Sequence, residues 1–282
     1  MISTNLNKKL KDLMLDRNCY NPATIFNPLS ARMAEQIGFK IGIVPGKIIS
    51  LDFLGDPDLM LLSLTELTET VRRIAKYAKI PLIVDADNGY GNAVNVCRTI
   101  ESLEDAGASG ISLEDTDLPI KFGKTKYPEF LSIKEATFKI KLAVDRKLNE
   151  STSIIARTGV YPYQGINAAL DRGKSYESVG ADALFYMNVS SKNDIEKLVK
   201  SHDIPIILGN NTTDLSLNEL TKMGISVSLP GHNAYFAAME AFRRSLENLY
   251  ETGEFSDLEI DINYINKLSN EEKNSEIIKK YM

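Results

Sequence analysis

Residues Pro81–Tyr90, with the sequence Pro-Leu-Ile-Val-Asp-Ala-Asp-Asn-Gly-Tyr, indicate how this chain folds. The short apolar run is typical of a buried parallel strand, and Asn88-Gly89 is typical of the turn that leaves it. Because side chains alternate along a strand, Asp85 and Asp87 are expected on the same side, where each raises the cost of ionising the other. A divalent cation that prefers oxygen ligands, such as Mg²⁺, would remove that repulsion. The alternative is that both aspartates only begin the next helix.

The same pattern of a strand and then a helix repeats along most of the chain. Strand candidates lie near residues 24, 42, 83, 112, 155, 184, 206 and 227, and helical patterns separate most of them. Eight such repeats predict an α/β fold, a (β/α)₈ TIM barrel. An open doubly wound sheet is the competing interpretation. It is disfavoured because no Gly-x-Gly-x-x-Gly turn follows any strand.

The remaining segments are assigned to the same domain, which covers residues 1–282 with a barrel core at about 18–250. The stretch 50–63 contains Gly-Asp-Pro-Asp and is predicted to be irregular. A last long helix is predicted to begin near His232. The tail, residues 253–282, is acidic and then mixed, and we expect it to lie on the surface or against a neighbouring subunit.

The composition limits the classes of function. Of the 282 residues, 43% are hydrophobic and 25% are charged, which is ordinary for a globular protein. The net charge of −5 gives no electrostatic footprint for nucleic acid, and no apolar run approaches the ~20 residues that span a bilayer. The N-terminus lacks the pattern of a secretion signal, and the two cysteines, Cys19 and Cys97, are not in a metal-type spacing. We therefore expect a cytoplasmic protein without disulfides and without nucleic-acid or membrane partners.

Polar residues follow several predicted strands, at the end where barrels of this kind build their sites. They are Gly46, Lys47, Asp85, Asp87, Glu114, Asp115, Arg157, Thr158, Asn210, Asn211 and His232. Carboxylates from neighbouring strands, beside an arginine and a histidine, indicate a site for an anion and a metal ion, because burying so many charges without a ligand is costly. Alternatively, Arg157 only pairs with Glu114. The second histidine, His202, precedes a strand at the opposite end of the barrel and is interpreted as a surface residue.

Three motifs together resemble a known enzyme family. They are Asp85-Ala-Asp-Asn-Gly-Tyr-Gly-Asn92, Gly110-Ile-Ser-Leu-Glu-Asp115 and Ile154-Ile-Ala-Arg-Thr158. Over residues 18–250 the chain resembles the isocitrate lyase/phosphoenolpyruvate mutase superfamily. It is most similar to the oxaloacetate decarboxylase branch, through Leu118–Gly123 and Gly231–Ala238. The resemblance implies Mg²⁺ (or Mn²⁺), a 2-oxo acid substrate, an enolate intermediate, and a homotetramer built from dimers that exchange the last barrel helix.

The resemblance also implies a role for each matching residue. Asp85 would hold the metal ion directly or through water, and Asp87 and Glu114 would hold its remaining waters. Arg157 would bind the substrate carboxylate, preferably through a bidentate fork. His232 matches the histidine that this branch places beside the substrate.

Two further matches concern loops. Asp58 matches an aspartate on a loop that closes over the site in mutases. Gly46 and Lys47 match the pair that cradles the substrate carboxylate, but relatives have a small hydroxyl residue where this chain has lysine. The Lys47 amine is expected to strengthen carboxylate binding, to compete with Mg²⁺ for Asp85, or to point into solvent.

Other departures from the family pattern narrow the reaction. The loop at residues 117–131 contains neither cysteine nor histidine, whereas lyases of the family carry Cys-Gly-His there. Cys97 lies within a predicted helix and cannot easily replace it. Thr158-Gly159 also departs from the Thr-Asn of relatives. The missing cysteine and histidine disfavour cleavage of a substituted malate, whereas Lys47 and Thr158-Gly159 count against the decarboxylase assignment.

Three functions therefore remain open from the sequence. The first is Mg²⁺-dependent decarboxylation of oxaloacetate or a similar 3-carboxy-2-oxo acid. The second is the same enolate chemistry on another bond, in a phosphonopyruvate mutase or hydrolase or a substituted-malate lyase. The third is a protein that binds a 2-oxo acid without turning it over.

Overall fold

The structure, a computed structural model, describes residues 2–123, 128–255 and 260–282. Parts of the loop predicted at 117–131 and of the tail predicted at 253–282 therefore lie outside the described residues. The internal contacts divide the chain into two compact units, Met1–Gly231 and His232–Met282. The assignment of all 282 residues to one domain stays a prediction.

The first unit contains eight parallel strands in the order in which they occur along the chain. They are β1 (Ala23–Thr24), β2 (Gly42–Val44), β3 (Leu82–Asp85), β4 (Gly110–Glu114), β5 (Ser153–Thr158), β6 (Ala183–Met187), β7 (Ile206–Gly209) and β8 (Val227–Leu229). Tyr20, just before β1, donates its N–H to Ser226 and accepts from the N–H of Ser228, so the last strand is joined to the beginning of the first. The predicted (β/α)₈ TIM barrel is confirmed.

Helices follow most of the strands in this unit. The described residues form α1 (Ile2–Leu15), α2 (Pro28–Ile37), α3 (Gly46–Ile49), α4 (Leu64–Ala75), α5 (Ala93–Ala106), α6 (Ile133–Arg146), α7 (Tyr161–Glu177), α8 (Lys192–Ser201) and α9 (Leu217–Met223). The prediction that residues 50–63 are entirely irregular is wrong, because Ser50–Leu54 continues α3 as a π-helical turn. Reciprocal capping boxes begin α4 at Ser63 and α5 at Asn92, which explains why these helices begin where they do.

The second unit is helical. It contains α10 (Asn233–Thr252), α11 (Ile262–Leu268) and α12 (Glu271–Tyr281). The long helix predicted from near His232 is confirmed, and His232 is the residue that precedes it. The two short helices in the tail were not predicted.

Apolar side chains fill the interior of the ring of strands. Ile83 of β3 and Ile155 of β5 belong to this interior cluster, together with Leu10 and Met14 of α1. A Cβ atom on Gly110, the first residue of β4, would lie 2.8 Å from the Leu10 side chain. Helix α1 therefore covers the end of the barrel where the strands begin. The end where the strands finish is left for polar side chains.

The interpretation of His202 as a surface residue is wrong. Its side chain is fully buried, although it lies between Ser201 and Asp203 in the sequence. The ring nitrogen Nδ1 lies 2.7 Å from Oε2 of Glu177, and Nε2 lies 2.8 Å from the hydroxyl of Tyr186. These two partners, contributed by α7 and β6, satisfy the ring and make its burial favourable.

No helix in the described part of the chain has the length and apolar character needed to cross a membrane.

Candidate active site

Three adjacent strands bring an arginine and two carboxylates together. Asp85, Glu114 and Arg157 lie at the ends of β3, β4 and β5, and Glu114 is in register with Arg157. Asp85 and Arg157 are each two residues beyond an interior isoleucine, so alternation places both side chains over the interior of the barrel. The sequence prediction that these strand ends meet is confirmed by the contacts between them.

Arg157 bridges the two carboxylates. Its Nη1 atom lies 2.7 Å from both carboxylate oxygens of Asp85, and its Nη2 atom lies 2.7 Å from Oε2 of Glu114. The guanidinium also lies over the ring of Phe185, 5.9 Å from the centroid. Side-chain exposures of 19%, 16% and 10% for Arg157, Asp85 and Glu114 keep the group within reach of solvent. The alternative role weighed for Arg157, pairing with Glu114, is thus observed, and Asp85 shares the pairing.

Asp87 lies beside this group on the turn that leaves β3. It has a left-handed backbone (φ 45°) and is buried, and its carbonyl accepts a 2.7 Å hydrogen bond from the N–H of Glu114. A Cβ atom on Gly46 would lie 3.5 Å from Oδ1 of Asp87. Gly46 is therefore in direct reach of the Asp87 carboxylate. An unfavourable backbone conformation held at such a place is often found at functional sites.

Burial and neighbouring negative charges raise the pKa values of several of these carboxyl groups. Burial raises the pKa of Asp87 well above its usual range, and the charges of Asp85, Asp58 and Glu114 raise it further. Burial also raises the pKa of Glu114, which Arg157 partly offsets. We call Asp58, Asp85, Asp87, Glu114 and Arg157 the rim cluster.

Arg157 responds in the opposite sense. Burial of its guanidinium disfavours the charged form, but the carboxylates of Asp85, Glu114 and Asp87 outweigh burial and raise the pKa of Arg157 above its ordinary value. The guanidinium therefore remains charged. The rim cluster combines one such cation with several carboxylates, and this unequal balance is its chemical character.

The loop after α3 adds Asp58 and Lys47. Asp58 is exposed as a whole residue, yet partial burial of its carboxyl group and the negative charge of Asp85 raise its pKa. The positive charges of Arg157 and then Lys47 lower it. Lys47 is exposed on α3. Its positive charge thus acts on Asp58, which places the amine on the same side of the molecule as the rim cluster.

The rim cluster fits a hard cation. In the described ranges, no three acidic, histidine or cysteine side chains form a ready metal cage. Mg²⁺ does not require one, because it keeps several waters and is usually held by one or two carboxylates. The raised pKa values of Asp87 and Asp58 indicate an excess of negative charge, which a bound cation would offset.

Three further sequence-predicted residues belong to other segments of the chain. His232 begins the second unit, directly after the residue that ends the first. Asn210 follows β7 with a left-handed backbone and donates a hydrogen bond to the side chain of Asn188. Asn211 instead donates to Ser228. No role in the rim cluster follows from these amide contacts.

The expectation that Asp115 joins the other carboxylates is wrong. It follows Glu114 directly, so alternation turns it to the outside of the barrel. There its Oδ2 atom accepts hydrogen bonds from Nη1 of Arg172 at 3.0 Å and from the hydroxyl of Tyr176 at 2.7 Å. Nη2 of Arg172 also donates to the carbonyl of Leu131 at 2.9 Å. We call Asp115, Arg172 and Tyr176 the outer cluster.

Sequence reasoning also assigned no role to Tyr90. Burial raises the pKa of its hydroxyl, and the charges of Asp87, Asp85 and Asp58 raise it further, so this neutral hydroxyl lies close to the rim cluster. Its backbone is left-handed, with φ 60°. The positive φ of a bulky residue inside Asn-Gly-Tyr-Gly cannot be foreseen from the sequence alone. Its place two residues after Asn88 was, however, a usable signal that Tyr90 lies near the predicted site.

Comparison with known proteins gives a consistent result. The model of the family described as phosphoenolpyruvate phosphomutase matches residues 10–250. An oxaloacetate decarboxylase of Rhodopseudomonas palustris (strain BisB18) is 40% identical over 233 residues, which cover 82% of this chain and 81% of that protein.

Solved structures agree with this match. A phosphonopyruvate hydrolase in complex with oxalate and Mg²⁺ is 28% identical, with a TM-score of 0.88, over 98% of both chains. An oxaloacetate acetylhydrolase in complex with the inhibitor 3,3-difluorooxalacetate is 27% identical, with a TM-score of 0.87, over 98% of this chain and 96% of that one.

Proposed function

This chain belongs to the phosphoenolpyruvate phosphomutase family, in the isocitrate lyase/phosphoenolpyruvate mutase superfamily, and we propose that it catalyses the Mg²⁺-dependent decarboxylation of oxaloacetate or a similar 3-carboxy-2-oxo acid. The observation that carries the proposal is the rim cluster, in which Arg157 joins Asp85 and Glu114 at distances of 2.7 Å. The cluster offers carboxylates for a cation and a guanidinium for an anion. The 40% identity to an oxaloacetate decarboxylase supports this choice of substrate.

Asp85, Asp87 and Glu114 are the residues that would hold the metal ion, Asp85 directly or through water and the other two through its waters. Mg²⁺, or Mn²⁺ in its place, would supply positive charge that stabilises the enolate left after CO₂ departs. A phosphonopyruvate hydrolase of the same fold was crystallised with Mg²⁺ and oxalate, which supports this assignment.

Arg157 would orient the substrate through the carboxylate next to the keto group. Gly46 leaves space beside Asp87 for the substrate, and Lys47 adds a positive charge on the same side. Asp58 would contribute from the loop that borders the site. With the substrate fixed in this way, the bond between C3 and the distal carboxylate breaks, CO₂ leaves, and the electron pair of that bond forms the enolate.

His232 would then donate a proton to C3 of the enolate, which yields pyruvate. Imidazole suits this step, because the ordinary pKa of this group lies near neutral pH. The assignment of His232 depends on its match to the histidine of the decarboxylase branch and on its place three residues after the end of β8. It is also proposed to lie beside the substrate as a binding residue.

The assembly and location are also proposals. A homotetramer of helix-swapped dimers is supported by apolar side chains that are exposed along α10, including Phe236, Met239, Phe242 and Leu246. We propose a cytoplasmic location, where a reducing environment would keep the thiols of Cys19 and Cys97 free. A 2-oxo acid as the small-molecule partner is supported by the 40% identity to an oxaloacetate decarboxylase.

A phosphonopyruvate hydrolase or mutase is the second candidate, because a hydrolase of that substrate has the same fold over 98% of both chains. Cleavage of a substituted malate is less well supported, since the loop at 117–131 contains neither cysteine nor histidine. A binding protein without turnover remains the non-catalytic alternative.

A substrate panel distinguishes these candidates. Purified protein with Mg²⁺ is mixed separately with oxaloacetate, phosphonopyruvate and 2-methylisocitrate, and pyruvate or the corresponding product is measured against Mg²⁺ alone. We expect pyruvate from oxaloacetate well above that background. Turnover of phosphonopyruvate alone would favour the second candidate. Binding of oxalate with no product from any of the three would favour the non-catalytic alternative.

A further inference from the structure

A small cavity lies between the rim cluster and the outer cluster. Its volume is about 10 Å³. Its lining includes Asn88, Asp115, Lys139, Arg157 and Tyr176, together with Ala136 of α6. Nζ of Lys139 already donates to the carbonyl of Gly91 at 3.0 Å. A cavity of this size holds about one water molecule.

Three buried polar atoms on the lining residues have no hydrogen-bond partner within the described part of the chain. They are Nε of Arg157, Oδ1 of Asp115 and Oδ1 of Asn88. The other polar atoms of the same side chains are occupied: Asn88 donates its amide to the carbonyl of Leu118 at 2.8 Å, and Asp115 uses Oδ2 in the outer cluster. An unpaired buried polar atom destabilises the folded state, so three such atoms on the lining residues of one cavity indicate an occupant that pairs with all of them.

The numbers of donors and acceptors identify the occupant. Nε–H of Arg157 is a donor, whereas the oxygens of Asp115 and Asn88 are acceptors. Water can accept one hydrogen bond and donate two, which satisfies all three atoms and is the usual number for a buried water. A metal ion does not suit a cavity lined by the N–H donor of Arg157 and the ammonium group of Lys139, and an anion does not suit one lined by the carboxylates of Asp115 and Glu114.

We propose that this cavity binds one structural water that ties Arg157 to Asp115 and Asn88, and that Asp115 is thereby a positioning residue for the catalytic guanidinium. The two Nη atoms of Arg157 are held by Asp85 and Glu114, and both of these carboxylates are also assigned to the metal ion. The water holds the remaining nitrogen from behind. It anchors to Asp115, which Arg172 and Tyr176 keep in place.

The consequence for function rests on the proposed decarboxylation. When a cation and a substrate carboxylate enter the rim cluster, Arg157 changes partners at its two Nη atoms. The bond at Nε does not change, so the guanidinium keeps its plane while its partners are exchanged. Preorganisation of this kind lowers the cost of binding the substrate.

A crystal structure of the unmodified protein, at a resolution where ordered waters are visible, tests the site itself. We expect one water within hydrogen-bond distance of Nε of Arg157, Oδ1 of Asp115 and Oδ1 of Asn88. A map without a water there, or with Nε of Arg157 bonded to a protein atom, overturns the proposal. This result does not depend on activity, so it can be distinguished from a failure of the proposed function.

A pair of substitutions at Ala136 tests the positioning role. Ala136→Val fills the cavity with methyl groups and displaces the water, whereas Ala136→Ser brings a hydroxyl that can make hydrogen bonds in its place. Losing a hydrogen bond to a charged group costs about 1.5–3 kcal/mol, so we expect the valine variant to raise KM for oxaloacetate by roughly 10-fold or more, with a smaller change in kcat. The serine variant should remain within about 2-fold of the unmodified protein.

Equal KM values in the two variants, or a loss of kcat without a change in KM, would overturn the positioning role. Thermal unfolding of both variants establishes that they fold. If the valine variant does not fold, the electron density at the cavity decides the proposal, because that measurement uses the unmodified protein.

Discussion

The rim cluster and the outer cluster lie on opposite sides of β4 and are built from the same kinds of group, but their charges are balanced differently. In the outer cluster one carboxylate, Asp115, meets one guanidinium, Arg172, with side-chain exposures of 1% and 7%. In the rim cluster several carboxylates share Arg157 and are partly open to solvent. The outer pair is balanced in charge, so it does not need a counter-ion. The rim cluster is unbalanced and open, so it has charge left to bind a cation, and this difference separates the residues that bind ligands from those that support them.

The largest expected effect is a loss of activity at the rim cluster. Asp85→Asn should reduce the rate of pyruvate formation from oxaloacetate by about 1000-fold or more, because it removes the carboxylate assigned to the metal ion. Asp105→Asn is a matched control, since Asp105 also pairs with an arginine, Arg72, but on the surface. Unchanged activity in Asp85→Asn would show that the rim cluster is not the reactive site.

The next effect is a loss of stability at the outer cluster. Asp115→Ala should lower the free energy of unfolding by about 3–5 kcal/mol, because Arg172 is left buried without its charge partner. Tyr176→Phe removes the hydrogen bond to Asp115 and the longer, 3.4 Å one from Nη1 of Arg172, but it leaves the ion pair in place and should cost about 1 kcal/mol. Urea unfolding measures both values. If Asp115→Ala costs no more than Tyr176→Phe, the outer cluster does not have the structural role described.

A smaller effect concerns pH and the metal ion. The pKa values of Asp58, Asp87 and Glu114 are raised in the folded chain. A raised pKa stabilises the folded state at pH values below the unfolded pKa, and this contribution is lost as the pH rises through the folded pKa. The metal-free protein should therefore lose stability between mildly acidic and neutral pH.

Mg²⁺ should restore that stability, and it should do so more at neutral pH than at mildly acidic pH, where protons compete for the same carboxylates. Differential scanning fluorimetry with and without Mg²⁺ measures this as a difference in Tm of a few degrees, about the shift that 1 kcal/mol produces. Ca²⁺ and Na⁺ at matched ionic strength serve as controls. A Tm increase that is the same at both pH values would argue against metal binding at these carboxylates.

The smallest effect is expected at Lys47. Because the side chain is exposed, its charge is screened, and Lys47→Ser should change KM for oxaloacetate by about 5-fold at most, a free energy of about 1 kcal/mol or less. An increase in KM would assign the amine to carboxylate binding, whereas a tighter apparent affinity for Mg²⁺ would assign it to competition for Asp85. Lys8→Ser, on α1 at the other end of the barrel, removes the same charge far from the site. Equal effects of the two variants would exclude a specific role.

Local patterns in the sequence were enough for the barrel and for most of the rim cluster. Apolar runs that end in polar residues predict strands, and the shared end of parallel strands predicts that Asp85, Glu114 and Arg157 meet. Alternation along β4 separates Asp115 from Glu114, which grouping the residues by strand end overlooked. The family resemblance alone supplied the role of Asp58, whereas His232 was also indicated by its place after the last strand, and the roles of both remain predictions.

Contacts over long sequence separations were not predictable. Asp115 and Arg172 are 57 residues apart, and nothing in the sequence pairs them. His202 has polar neighbours and looks like a surface residue, but Glu177, 25 residues away, holds it inside. The short helices α11 and α12 lie in the part of the tail where acidic and basic residues are mixed, and their apolar periodicity was too weak to identify them.

The junction at Tyr20 has a consequence for how the barrel comes apart. Five residue pairs align β4 with β5, whereas among the described residues a single bridge, from Tyr20 to Val227, joins the segment before β1 to β8. This single bridge is the weakest pairing in the ring of strands, so local opening should begin there. Amide hydrogen–deuterium exchange at Tyr20 and Ser228 should therefore be faster than in β4 and β5. Removing residues ahead of β1 should make exchange at Ser228 faster still.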